Sequence, residues 1–261
     1  LSSLGVGWLL FRFSPDAAGS GIPQLKIAYW KELGWMPWRS TWVKFLAGVL
    51  SLGGGASLGR EGPTVFIGGG CASAVAARLG IAKHARRAAA ASGAAAGLAA
   101  AFNTPLAAIT FVMEELLGEL NNRVLGAVVM ASVVGAFVVY ACVGRQPAFV
   151  LPSVDAQSWT SYLLVPPVAA AAAAMGGLYQ RQITSLRRQI RQHSRLPRWL
   201  HPCVGGILTW VIGVSVFAAT GRLGVFSLGY DDMSAGLHLD LAWQVSALLV
   251  ASKLLASSTC Y

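Results

Sequence analysis

The sequence contains few charged residues: Asp, Glu, Lys and Arg make up 11% of its 261 residues, against roughly 25% in soluble domains. This shortage excludes an ordinary soluble globular domain. Windows 88–113, 124–144 and 159–180 contain no charged side chain, and window 199–221 carries only a histidine. Each window reaches the ~20 residues that a helix needs to cross the hydrocarbon core of a membrane.

A cysteine motif for metal binding is also missing. The cysteines Cys71, Cys142, Cys203 and Cys260 show no CxxC spacing and lie in or beside apolar runs, which favours buried thiols. Ser20 and four histidines leave an intramembrane hydrolase as an alternative, beside a purely structural scaffold. We predict no enzyme and no metal site.

The apolar runs are continuous and lack the apolar–polar alternation of transmembrane β-barrel strands. They predict an all-α integral membrane bundle. We predict helices over 1–13, 21–32, 41–53, 63–78, 84–101, 105–119, 123–143, 159–191, 200–218 and 241–257. Two apolar stretches, 45–59 and 62–77, are short and rich in glycine, which favours broken helices that stop inside the bilayer.

Positive charge is concentrated in two clusters. The clusters are Arg78, Lys83, Arg86 and Arg87, and Arg181, Arg187, Arg188, Arg191, Arg195 and Arg198. Both follow apolar segments, so the positive-inside rule places them at the cytoplasmic face. Contact with anionic lipids is favoured over a nucleic-acid partner, which we do not predict.

Three segments share one design, in which small or polar residues and then Pro or Gly precede a new helical run. They are AGSGIPQ (18–24), GREGPTV (59–65) and AFNTPLA (101–107). The first amides of a helix have no intrahelical partner, so proline is tolerated there. In a membrane, such helix N-termini can hold an anion. The three segments predict a site for a small anion, and a tight interhelical turn is the plainer alternative for each.

Glu61 lies beside these amides, within GREGP. Its carboxylate can take the place of the anion, and on protonation it becomes neutral and must give way. A buried ionisable residue in a membrane is a functional candidate, so Glu61 is predicted both to block an anion path and to accept a proton. A structural ion pair with Arg60 is the alternative.

Glu114 and Glu115 follow the apolar run 105–113. Adjacent helical residues point about 100° apart, so one acid can face the protein interior while the other faces water. This arrangement favours a proton entry point. Two polar residues at a membrane boundary are the alternative.

The segments resemble those of the CLC family of chloride channels and transporters. GSGIP at 19–23, GREGP at 59–63 and SGAAAGLAAAFNTPLAAITFVMEE at 92–115 match its signature segments in order and spacing, and weaker similarity continues beyond them. The resemblance implies homodimers in which each subunit has its own anion pathway, built from two inverted halves. It implies one transport domain over 1–261, with most of the first half at 1–143 and the start of the second at 159–261.

The resemblance also implies roles for individual residues. The implied chloride site contains Gly19, Ser20, Gly21, Ile22, Pro23, Arg60, Glu61 and Gly62. Ser20 matches the serine that contacts the central chloride. In the family, a proline at this position is associated with nitrate preference, so Ser20 favours chloride. Glu61 matches the gating glutamate, and Glu115 matches the internal proton-transfer glutamate of the exchangers.

A proton-coupled chloride antiporter in a bacterial-type inner membrane is therefore predicted, with chloride, protons, the lipid bilayer and a second copy of the chain as partners. No cofactor besides the transported ions is predicted. A passive chloride channel is the alternative, although family channels usually lack an acid where Glu115 stands. The family's GxFxP segment and a later chloride-binding tyrosine are missing, and Tyr261 is not that tyrosine. Residues 1–13 also resemble the tail of a helix whose beginning is missing, so we expect a fragment cut at both ends.

Overall fold

The computed structural model describes residues 1–118, 122–144, 152, 159–193 and 196–260, and these residues contain helices and no strand. The α-helices are α1 (Ser2–Phe13), α2 (Ile22–Trp30), α3 (Trp38–Gly53), α4 (Glu61–Arg78), α5 (Lys83–Phe102), α6 (Pro105–Phe111), α7 (Asn122–Val143), α8 (Trp159–Tyr162), α9 (Val165–His193), α10 (His201–Thr220), α11 (Tyr230–Leu237) and α12 (Trp243–Cys260). The all-α prediction is confirmed. Arg195, Tyr261 and the side chain of Arg191 lie outside the described residues.

The helices differ from the prediction in three respects beyond shifts of up to three residues at their ends. The predicted helix 159–191 is interrupted between α8 and α9, since Pro166 and Pro167 fit the first turn of α9 but not a helix interior. The predicted helix 105–119 changes after α6 into a π-helix, Val112–Leu117, and ends at Gly118 with φ 66°. The eight-residue helix α11 was not predicted at all.

Two of the helices in the described part of the chain are long and apolar enough to cross a membrane by length and composition, over Val124–Val143 and Arg198–Thr220. They coincide with two of the predicted windows. The window 88–113 does not form one spanning helix, because the chain turns at Asn103 between α5 and α6. The helices α3 and α4, with 16 and 18 residues, fall short of the ~20 residues of a full span.

The chain divides into two compact units, of which the first comprises Leu1–Gly54 and Gly59–Ala148. Within it, α5 packs against both α4 and α7. A Cβ on Gly68 would collide with the carbonyl of Gly93, and one on Gly97 with the carbonyl of Thr64. The backbones of α4 and α5 are therefore in contact, which small residues make possible between membrane helices. Five alanines of α5 have no exposed surface: Ala90, Ala91, Ala94, Ala95 and Ala99.

The second unit comprises Gly55–Leu58 and Phe149–Tyr261. Its helices α10 and α12 pack together, and a Cβ on Gly205 would collide with the carbonyl of Thr259. The buried apolar residues of this unit form a small core: Val216, Val225, Leu249 and Ala256. This core is much smaller than that of the first unit, which draws on α2 and on α4 to α7.

Candidate functional site

The segment AGSGIPQ forms a loop that leads into α2. Gly21 is the N-cap, with φ 96°, and Pro23 lies in the first turn. Position 21 requires glycine, because its φ is left-handed and a Cβ there would lie 2.9 Å from the Cβ of Phe66. The first turn of α2 contains no acidic residue. The partial positive charge at this N-terminus is therefore not offset by a carboxylate of its own first turn.

The segment GREGPTV forms the start of α4. Arg60 is the N-cap and Glu61 is the first helical residue. Thr64 donates its amide to the Arg60 carbonyl at 3.0 Å and its hydroxyl to the Glu61 carbonyl at 2.9 Å. A Cβ on Gly59 would collide with the Glu61 carboxylate. The carboxylate thus folds back beside the helix N-terminus.

The structure brings the three predicted segments together. A Cβ on Gly62 would collide with the Ser20 carbonyl and would lie 3.2 Å from the Ser20 Cα. The first turn of α4 therefore touches the loop before α2. The Arg60 Nη2 atom donates to the Ala101 carbonyl at 2.6 Å, which joins the third segment to the second. The N-termini of α2 and α4 accordingly lie side by side.

Lys44 lies beside the loop before α2, although the sequence analysis did not identify it as a site residue. This α3 residue is 4% exposed. Its Nζ donates to the Ala17 carbonyl at 3.0 Å and to the Gly19 carbonyl, and lies 6.0 Å from the Phe66 ring centroid. Since a buried ammonium needs acceptors, Lys44 fixes the loop before α2 and brings positive charge beside it.

A signal for Lys44 was present in the sequence. It is the one charged residue between Arg39 and Arg60, at the start of an apolar run. A lone charge in an apolar membrane segment is costly and is therefore a functional candidate. The sequence does not, however, show which carbonyls accept its hydrogen bonds.

Glu114 and Glu115 both lie in the π-helix and both are exposed. The prediction that one of them faces the interior is wrong, because neither side chain is buried in this chain. The Glu115 Oε1 atom lies 2.6 Å from the Lys26 Nζ on α2. The structure thus places Glu115 in an ion pair at an exposed surface of this chain.

Comparison with known protein sequences gives three findings. A family model described as voltage gated chloride channel matches residues 2–261. An H(+)/Cl(-) exchange transporter ClcA of Vibrio parahaemolyticus serotype O3:K6 is 34% identical over 212 residues, 79% of this chain and 45% of that protein. A transporter of the same name from Vibrio cholerae serotype O1 is 37% identical over 182 residues, 68% of this chain and 38% of that protein.

The fold is similar to the crystal structure of a slow cyanobacterial Cl-/H+ antiporter, with a TM-score of 0.84 and 25% sequence identity. The likeness covers 100% of this chain and 60% of that one. The chain thus spans less than half the length of the two curated relatives and three fifths of the solved structure.

Proposed function

This chain belongs to the voltage gated chloride channel family, and we propose that it supplies part of a pathway that exchanges chloride for protons. Members of this family are integral membrane proteins. We propose the inner membrane of a bacterium as its location, since the relatives come from Vibrio species. A homodimer and a transport role without hydrolysis belong to the same proposal.

The observation that carries the proposal is the contact between the N-termini of α2 and α4. At this contact Gly62 touches the backbone of Ser20, and the nearby ammonium of Lys44 bonds the preceding loop. Two partial positive charges and the first amides of two helices attract a small anion. Coordination by shared dipoles holds chloride weakly enough for release, which transport requires.

Glu61 is the proposed gate, because it is the first residue of α4 and its carboxylate lies beside the helix N-terminus. The ionised carboxylate competes with chloride for the same amides. Protonation removes its charge, so chloride can enter while the proton is carried on Glu61. Glu115, which is exposed in this chain, is the proposed donor and acceptor of protons on the cytoplasmic side.

Glu61→Gln tests the gate, because glutamine imitates the protonated acid. The purified protein is placed in chloride-loaded liposomes, and chloride efflux and proton uptake are recorded together. We expect coupled movement in the wild type. In Glu61→Gln we expect persistent chloride efflux with proton uptake about 100-fold lower or more, since a positioned acid contributes about 10²–10⁴-fold.

Glu32→Gln, an exposed acid just after α2, is the control and should remain coupled. Retained coupling in Glu61→Gln would contradict the proposed gate. Chloride efflux without proton uptake in the wild type would instead identify a passive channel. Absence of both fluxes would contradict transport.

Glu115→Gln should also uncouple protons from chloride in the same assay. An unchanged proton-to-chloride ratio would favour the alternative that Glu115 is a polar residue at the membrane boundary.

A further inference from the structure

Two side chains of α2 reach the π-helix that carries the acidic pair. The Lys26 Nζ lies 2.6 Å from the Glu115 Oε1, and the Trp30 Nε1 donates to the Leu116 carbonyl at 3.0 Å. Lys26 and Trp30 are four residues apart, so they project from the same face of α2. One helix face therefore holds both the carboxylate of residue 115 and the backbone of residue 116.

The end of α2 that makes these contacts is fixed by α5. The Arg87 Nε donates to the Tyr29 carbonyl at 2.7 Å. Its guanidinium carbon lies 4.6 Å from the Tyr29 ring centroid and 5.0 Å from that of Trp30. With nine residues, α2 is only about 13 Å long. The proposed chloride site at its N-terminus and the contact with Glu115 thus belong to one short, rigid helix.

The charged groups near the ion pair of Lys26 and Glu115 differ in what they contact. Lys26 and Glu115 are 40% and 45% exposed at their side chains, so the pair is not buried in this chain. Glu114 is the adjacent acid and is also exposed. Arg87 faces the rings of Tyr29 and Trp30 on α2. Lys26 is therefore the cation that directly sets the position of the Glu115 carboxylate.

We propose that Lys26 is a positioning residue for proton transfer, which holds the ionised Glu115 carboxylate against α2 between turnovers. This role rests on the proposed exchange of chloride for protons. When Glu115 takes a proton from water, its carboxyl becomes neutral and no longer attracts the ammonium, so it is released. When it passes the proton on, its charge returns and Lys26 draws it back to the same place.

Lys26→Met and Lys26→Gln remove the charge, Lys26→Arg retains it, and Lys31→Met is the control at the exposed end of the same helix. Chloride efflux and proton uptake are measured together in liposomes. We expect the neutral variants to lower the proton-to-chloride ratio about two- to fivefold, the range that corresponds to one partly exposed ion pair. Chloride efflux should stay within about twofold of the wild type, as the ion pair does not touch the chloride site. Lys26→Arg and Lys31→Met should keep the wild-type ratio.

A purely structural role would lower both fluxes by the same factor, and that result would overturn the proposal. An unchanged ratio in both neutral variants, in a wild type that exchanges chloride for protons, would overturn the role of Lys26 alone. A wild type without proton uptake would overturn the proposed exchange as well. A proton-to-chloride ratio below the wild-type value in Lys26→Arg would also contradict the proposal, because arginine retains the positive charge.

Discussion

The two compact units each contain a loop held by a lysine, and the loops differ in the helix that each one begins. In the first unit Lys44 bonds the carbonyls of Ala17 and Gly19. In the second unit the Lys253 Nζ donates to the carbonyls of Val225, at 3.3 Å, and Ser227, at 2.6 Å. In both units the two acceptors are two residues apart, and the lysine lies 25 to 28 residues beyond them in the chain.

Each loop ends in a left-handed glycine that begins a short helix, Gly21 with φ 96° before α2 and Gly229 with φ 73° before α11. The first turn of α2 has no acid, whereas that of α11 contains Asp231 and Asp232. The same backbone frame thus leaves one helix N-terminus open to an external anion and gives the other its own carboxylates. Two related halves would produce this recurrence, and that relation stays a prediction.

The largest expected effect comes from adding a methyl group at the contact between Gly62 and the Ser20 backbone in the first unit. Gly62→Ala places a Cβ against the Ser20 backbone, and no side-chain rotation can relieve that overlap. Overpacking of this kind costs about 3 kcal/mol at its upper end, so we expect chloride flux to fall about 100-fold. Gly53→Ala is the control, since a Cβ there meets nothing within 4 Å. Undiminished flux in Gly62→Ala would contradict the site.

The next largest effect should distinguish Lys44 from Lys253 by their influence on chloride affinity. Lys44→Met removes hydrogen bonds from a charged donor, worth about 1.5–3 kcal/mol each. We expect chloride affinity, measured by titration calorimetry, to fall about tenfold, with the rest of the loss in stability. Lys253→Met should keep chloride affinity within about twofold and lower the apparent melting midpoint by about 4 °C. Equal changes of affinity in both variants would remove the functional distinction between the loops.

The smallest effect tests the carboxylates of α11. The Asp232 Oδ1 lies 3.3 Å from the Arg222 Nη1, in a partly exposed pair worth about 0–1 kcal/mol. Asp232→Asn should therefore lower the apparent melting midpoint by about 2 °C and leave chloride affinity unchanged. Asp240→Asn, an exposed acid beyond α11, should change neither quantity. A gain or loss of chloride affinity in Asp232→Asn would show that the loop held by Lys253 also takes part in chloride binding.

Features set by local backbone chemistry could be predicted from the sequence. The breaks before α2, α4 and α6 were found because glycine and proline determine the conformation of their own neighbours. Helix α11 was missed for a related reason. Its sequence, YDDMSAGL, is short and polar and contains a glycine, so neither periodicity nor length indicates a helix.

Long-range pairings could not be predicted in the same way. Lys26 and Glu115 are 89 residues apart, and Lys44 lies 25 residues beyond the Gly19 carbonyl that it bonds. Which acceptor a lysine meets depends on how helices pack, and no local pattern encodes it. The π-helix was missed because one added residue in a turn leaves no mark in the apolar spacing of 105–113.

The burial of Lys44 has a practical use in chemical labelling. An amine-reactive reagent needs an accessible amine, so it should modify the exposed Lys31 and Lys83 and spare Lys44 in the folded protein. Modification of Lys44 would then report that the loop before α2 has opened. A single native amine can in this way serve as a mass-spectrometric sensor of that loop, without any introduced probe.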